Sequence, residues 1–556
     1  MTMRTSFCLA ARPRLLRCTA ALALLLAIAA VPALPQTGTV PAPGPYRIAG
    51  TLLNAVTGDP VRRAVVAVLV EADSHSVETV VSDSEGRFSL EHLPAAKYQL
   101  TASKRGFLTG FYDEHEEFNS AIVTGPDQDT EHLLFRLAPV AVLRGVVSAD
   151  GGDPVQGARV MLFEQPRHPQ MGQGIHQIDS AITDDTGAYE FSNLSAGEYL
   201  LAVTAEPWYA MHPTDRSTGN PAGQVRSALD VAYPVTYYDS TSDEASVTPV
   251  ELAAGSREEA DVSLHAVPTM HLSVPAPGRQ EGRMTRASLR QTVFGVVVSA
   301  ESTDFTEVHQ ANGIEFSGLA PGHYELTQGD PPQVVDLDLN ASRQVGANSG
   351  TPVFSVAGTL RMLAGQQPPS EVQLALDRTD SAQGQREIVA AARQGRFSFS
   401  AVPPGSWSLL ATEGDKVLPV VAISAGTKTQ AGNRIAVIDQ PLQLAVTLSR
   451  GETRIAGIAR KQGKGFAGAM IVLAPRDVAA WQSLVRRDQS DSDGSFTLRD
   501  VAPGQYTVLA IENGWELDWS RPAEMARYIT AGVAVTVTGD SGAKVHLDQP
   551  VAVQTR

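Results

Sequence analysis

Residues 491–508, DSDGSFTLRDVAPGQYTV, decide the fold. Asp491, Asp493 and Gly494 make a turn, because aspartate bonds its own backbone and glycine accepts a positive φ. Phe496 and Leu498 then alternate with Ser495 and Thr497, the period of a strand with one buried face. Pro503 and Gly504 make a second turn, and Tyr506 and Val508 open the next strand. The unit returns as SDSEGRFSLEHLPAAKYQL at 82–100 and TDDTGAYEFSNLSAGEYLL at 183–201. It returns again as QANGIEFSGLAPGHYEL at 310–326 and ARQGRFSFSAVPPGSWSLL at 392–410. Turn residue and aromatic lie twelve positions apart in every copy: Gly86 and Tyr98, Gly187 and Tyr199, Asn312 and Tyr324, Gly395 and Trp407, Gly494 and Tyr506. Five copies at one spacing predict an all-β tandem array.

The first 36 residues are of another kind. Arg4, Arg12, Arg14 and Arg17 precede the apolar run 20–31, and small residues around Ala33 and Gln36 suit cleavage. That is the pattern of a secretory signal peptide, and the run is short for a membrane-spanning helix. Cys8 and Cys18 both fall in this leader, so the expected mature chain has no disulfide, thiol nucleophile or cysteine metal ligand. Without the leader the chain keeps 40 Lys+Arg against 60 Asp+Glu, a net charge of −20. Such a surface argues against nucleic acid or anionic lipid as partner. No later stretch is apolar enough to span a membrane.

The expected organisation is signal peptide 1–36, linker 37–45, repeat 1 at 46–138, repeat 2 at 139–268, repeat 3 at 269–350, repeat 4 at 351–449 and repeat 5 at 450–556. Short β-branched runs between turns give about seven strands per repeat, a sandwich pattern. Repeat 2 carries an aromatic insertion at 207–246, and repeat 5 carries Trp515, Trp519 and a short predicted helix at 522–528. Repeat 3 is degenerate, with no opening Gly-x-Pro turn and with Asn312 at the turn position, where asparagine is the next-best residue for a left-handed backbone.

The second-strand pattern Asp153-Pro154-Val155-Gln156-Gly157-Ala158-Arg159-Val160, with the units at 183–201 and 490–508, resembles the carboxypeptidase regulatory-like domain. The resemblance covers most of 46–556, and repeats 3 and 4 depart from it at the opening and at the turn aspartate. It implies a seven-stranded, transthyretin-like sandwich of the carbohydrate-binding-like group. The module is non-catalytic in the metallocarboxypeptidases that carry it, and the repeats leave no room here for a catalytic domain.

Candidate sites follow the same logic. His75 and Glu78 have a His-x-x-Glu spacing without a helix or a second motif, and His115 sits in the acidic loop of Asp113, Glu114, Glu116 and Glu117. Asp488, Asp491 and Asp493 lack the glutamate of a calcium loop, so turn chemistry accounts for them. Repeats 2 and 3 contain no lysine, which excludes Lys–Asn isopeptide cross-links there. No catalytic, cofactor-binding or metal residue is assigned, and no cofactor is expected. The repeated Tyr98, Tyr199, Tyr324, Trp407 and Tyr506 suit a structural corner, ring in the core and polar tip bonded. Candidate ligand-binding aromatics lie outside the unit: Trp208, Tyr209, Tyr233, Tyr237 and Tyr238 in one insertion, Trp515 and Trp519 in the other. The alternative is that these pack their insertions against their own repeats. The resulting expectation is an exported, non-enzymatic protein, periplasmic or at the cell surface. It binds or scaffolds an envelope protein or polysaccharide, either as an acidic rod or as an adaptor. Carbohydrate binding through the repeat 2 aromatics is the alternative, and an accessory role to a metallocarboxypeptidase a more distant one.

Overall fold

The computed structural model describes residues 44–71, 76–164, 175–212, 228–275, 287–297, 306–310, 313–329, 332–346, 350–363, 369–379, 387–414, 416–539 and 542–556. The leader, His75 and Asn312 lie outside the described residues. The chain is an all-β series of sandwiches, and five separate hydrophobic cores run along it. Each draws its buried residues from a single repeat: 48–137, 141–264, 272–345, 356–448 and 455–551.

Repeat 1 shows the plan. Its opening strand Tyr46–Asn54 lies between Arg87–Leu93, antiparallel, and Leu133–Leu137, parallel. The facing sheet runs Ser76–Val81, Val65–Val70, Lys97–Ser103, with the short Gly110–Phe111 and Ile122–Val123 on its edge. Parallel neighbours cannot be joined by a hairpin, so the chain must cross the second sheet before it returns. Repeats 2 and 5 repeat this layout around Ala141–Ser148 and Thr453–Lys461. Repeats 3 and 4 repeat it around Met270–Pro275 and Phe354–Met362. The helix predicted at 522–528 spans Pro522–Ile529, with proline in its first turn.

One register explains why glycine and an aromatic recur together. The opening-strand glycine pairs with the first aromatic of the core unit: Gly50 with Phe88, Gly145 with Tyr189, Gly358 with Phe397 and Gly457 with Phe496. A Cβ on Gly358 would lie 2.3 Å from the Leu444 carbonyl oxygen of the parallel strand and 2.8 Å from the Phe397 ring, so the two neighbours together leave no room for a side chain. In repeat 3 both partners change at once, to the buried pair Val274 and Ile314. Its departure from the pattern is a matched exchange of glycine plus ring for two aliphatics.

The turn glycines have two reasons to stay glycine. Gly86 and Gly494 have φ of 74° and 84°, and a Cβ on either would stand 2.6 Å from a carbonyl oxygen of the opening strand. Six residues beyond the turn a bulge places His92, Asn193, Gly318 and Asp500 at positive φ. The corner aromatics then tie off the unit. Tyr98, Tyr199, Tyr324 and Tyr506 donate their hydroxyls to the carbonyl four residues earlier, at 3.1, 3.0, 2.9 and 2.7 Å. Trp407 does the same through Nε1, to Pro403 at 3.2 Å.

Successive repeats are fastened by short contacts. Val140 N–H of repeat 2 donates to the Gly106 carbonyl of repeat 1. Met161, Phe163, Val235 and Tyr237 form a small core with Val293 and Phe294 between repeats 2 and 3. Strand Gln333–Leu339 pairs with Thr351–Pro352, and Val421 of repeat 4 packs on the core of repeat 5. Repeat 5 in turn meets repeat 1, through Lys97 and Asp491 among others. An extended rod needs its first and last units apart. Here they touch, and the series of contacts returns to its start.

Candidate functional site

The densest polar arrangement among the described residues is this junction of repeats 1 and 5. Repeat 1 contributes the segment between Gly110–Phe111 and Ile122–Val123, a loop held in shape by Glu114, which accepts from Phe111 N–H at 2.8 Å, and by the backbone pairing of His115 with Phe118. Repeat 5 contributes strand Arg486–Gln489, the turn that follows it, and the insertion around the one-turn helix Gly514–Glu516.

Arg487 is the centre of the junction. Its side chain is only 2% exposed, and its guanidinium lies 4.0 Å from the Trp519 ring, 4.9 Å from Phe118 and 5.9 Å from Trp515. Nη2 donates to Glu116 at 2.7 Å and to Glu117 at 3.2 Å. A cation desolvated between aromatic faces gains more than one at the surface, and two carboxylates balance its charge. His115 stacks on Trp515 at 5.0 Å and 9° between planes, and its Nδ1 lies 3.1 Å from Gln489 Oε1. Gln489 Nε2 donates to the Asp113 carbonyl at 2.5 Å and to Ser120 Oγ at 2.8 Å. Backbone joins backbone as well, Ser492 N–H donating to the Ala121 carbonyl at 3.0 Å. The acidic loop around His115 is thus committed to repeat 5.

Asp491 shows how the sequence hid this site. The matching aspartates of repeats 1 and 2 serve their own turns: Asp83 accepts from Glu85 and Arg87 N–H at 2.9 and 2.7 Å, and Asp184 from Thr186 and Ala188 N–H, both at 2.9 Å. A further bond from the Thr186 hydroxyl at 2.7 Å, with those from the Ala188 and Thr186 N–H groups, holds the exposed Asp184 carboxyl below its ordinary range. In repeat 5 the turn is served by Asp493, which accepts from Ser495 N–H at 2.8 Å. Asp491 is released to repeat 1, accepting from Ala121 N–H at 3.0 Å and pairing with the Lys97 ammonium. Burial pushes its carboxyl up to about 6 against the opposing pull of Lys97. Burial would lower the Lys97 ammonium, yet Asp491 holds it above its ordinary value. Asp488 is also no turn residue: it accepts from Thr497 N–H at 2.7 Å, and burial pushes it up to about 7. Turn chemistry therefore accounts for Asp493, in part for Asp491, whose Oδ2 also accepts from Ser495 Oγ at 3.4 Å, and not for Asp488. Nothing local signalled this in the sequence, since repeat 1 carries nearly the same turn, Asp83-Ser84-Glu85, and repeat 2 also has two acids, Asp184 and Asp185.

The aromatic candidates divide. Trp515 and Trp519 are 9% and 5% exposed, beneath repeat 1 and around Arg487, so they present no open platform. Tyr233 and Tyr237 are buried, and Tyr238 packs on the core of repeat 2. Tyr237 donates to Glu244 at 2.8 Å and lies 5.0 Å from Phe294 of repeat 3. Trp208 is different, 94% exposed, with Tyr209 edge-on at 5.7 Å. Their loop runs between Glu206 and His212, which line a cavity of about 30 Å³ shared with Gln291, Gly318 and Tyr324 of repeat 3. That is space for about one water. Behind it, Asp230 accepts from Thr269 Oγ1 at 2.5 Å and faces His212 Nδ1 at 3.1 Å. His271 Nε2 lies 3.6 Å from the same carboxylate. Burial alone would raise the Asp230 carboxyl, but the bonds from Thr269 and His212 hold it below its ordinary range. Among the described residues no group of three or more His, Cys, Asp or Glu is placed to hold a metal ion, and no helix is long and apolar enough to cross a membrane.

Residues 47–135 and 142–212 match the family model of the carboxypeptidase regulatory-like domain. Both matches fall within the first two repeats. Residues 353–428, in the fourth, match the second β-sandwich domain of BOS complex subunit NOMO1-like proteins. No curated protein matches the chain. Among solved structures, the minor pilin GBS52 of Streptococcus agalactiae is 13% identical over 40% of this chain and 97% of its own, with a TM-score of 0.20. A streptococcal ancillary pilin is 11% identical over 72% and 98%, with a TM-score of 0.16. Two B repeat units of the Staphylococcus aureus collagen-binding protein are 11% identical over 72% and 99%, with a TM-score of 0.12.

Proposed function

We propose that the chain is an exported, non-catalytic binding or scaffolding protein of the cell envelope, acting in the periplasm or at the surface on a protein or polysaccharide. One observation carries the reading: charged side chains, among them the buried Arg487, Asp491 and Asp230, are gathered at contacts between sandwiches. Arg487, Asp491, Lys97, Glu116 and Glu117 are spent on the junction of repeats 1 and 5. Asp230 and His212 of repeat 2 meet Thr269 and His271 at the start of repeat 3. Export rests on the basic and apolar leader at 1–36.

The test is capture with the mature chain against envelope extract and a polysaccharide panel, together with a peptide-turnover assay with and without chelator. Retention of a protein or glycan without turnover is the expected result. Chelator-sensitive peptide cleavage overturns it. Glycan binding through Trp208 and Tyr209 is the second reading, supported by the full exposure of Trp208, since an aromatic face stacks on a sugar ring. Its mark is glycan retention that Trp208→Ala abolishes.

A further inference from the structure

The junction of repeats 1 and 5 joins two different surfaces at opposite ends of the chain. The core of repeat 1 and that of repeat 5 share no residue, and only Phe118 crosses into the cluster around Trp515 and Trp519. The contact can therefore open without unfolding either sandwich, as expected of a polar interface between domains. Its recognition is complete in itself. Charges complement in both directions: Arg487 and Arg499 of repeat 5 meet Glu116 and Glu71 of repeat 1, while Lys97 of repeat 1 meets Asp491 of repeat 5. Backbone register is set by Ser492 N–H on the Ala121 carbonyl at 3.0 Å and by Val123 N–H on Ser492 Oγ at 2.8 Å. Nothing in this set depends on the two repeats belonging to one molecule.

We propose that this clasp exchanges between copies, so that repeat 5 of one molecule takes residues 113–123 of the next. Because the two surfaces differ, the exchanged contact is head to tail and can propagate, whereas the contact within one chain closes it. A tethered pair meets at an effective concentration on the order of millimolar, so a dilute chain stays closed and exchange dominates where the internal contact is lost. The proposal extends the scaffolding reading by naming a second copy as partner, and it is tested apart from it.

Two full-length variants make the test. One carries Glu116→Lys, Glu117→Lys and Phe118→Ala, which spoils the segment and spares the core of repeat 1. The other carries Arg487→Ala, which spoils the slot. Neither can form the contact within itself or with its own kind. An equimolar mixture has one good segment and one good slot. Sedimentation velocity is expected to show each variant alone as a monomer and the mixture at double the mass. A mixture that stays monomeric overturns exchange, and so does a variant that self-associates alone as strongly as the mixture does. Circular dichroism checks that both fold, and Asp491→Ala replaces Arg487→Ala should that variant unfold. Envelope capture by the wild-type chain, with a monomeric mixture, leaves the scaffolding reading standing and removes this one.

Discussion

The two aromatic insertions look alike in sequence and do opposite things. That of repeat 2 ends with Trp208 bare and Tyr209 beside it, while Trp515 and Trp519 of repeat 5 lie around a buried guanidinium beneath another repeat. The difference comes from what each loop finds opposite it. Repeat 5 meets an acidic loop with its own aromatic, Phe118, so cation, rings and carboxylates are brought together. Repeat 2 meets repeat 3 through Tyr237, Val235 and Phe294, and Trp208 has no part in that contact.

Breaking the covered side has the largest expected effect. Arg487→Ala removes a guanidinium desolvated against Trp519 and Phe118 and leaves the solvent-accessible Glu116 and Glu117 without their partner, a cost of about 2–3 kcal/mol. Urea unfolding followed by tryptophan emission should show a lower midpoint, and a red shift of Trp515 and Trp519 before the main transition. An unchanged midpoint would dissolve the contrast between the insertions.

Asp488→Asn sharpens it through pH. The carboxyl is pushed from 3.8 up to about 7, so between these values the folded chain holds a proton that the unfolded chain has released. Its contribution to stability therefore grows as pH falls from 7 toward 4 and is unfavourable above 7. Asparagine removes that slope, and at pH 8 the variant should be more stable by about 1–3 kcal/mol. Melting temperature against pH decides it: a variant that keeps the wild-type slope refutes the assignment.

Phe118→Ala is milder, about 1–2 kcal/mol for a half-buried ring. Hydrogen exchange should quicken at residues 112–123 and leave the core strands of repeat 1 protected. Trp208→Ala should change stability by less than about 0.5 kcal/mol, because an exposed side chain has little packing to lose. Glycan retention that survives this change sets aside the second reading.

The unit at 491–508 and its four copies made the fold legible, because turn glycines, alternating apolar residues and corner aromatics act within twenty residues of one another. The degenerate third repeat was legible only as a departure, since the Val274 and Ile314 pair that makes it coherent lies on two strands some forty residues apart. The candidate site was scarcely legible. Asp491 reads as a turn residue because locally it occupies one, and its partners Lys97 and Ala121 lie about 370 to 390 residues away. Local chemistry repeats in sequence and so announces itself. By itself the sequence determined five sandwiches and an acidic surface. Which aromatics stay bare, which acids are buried, and that the first repeat meets the last were decided by tertiary structure, because complementarity between distant surfaces leaves no period in the chain.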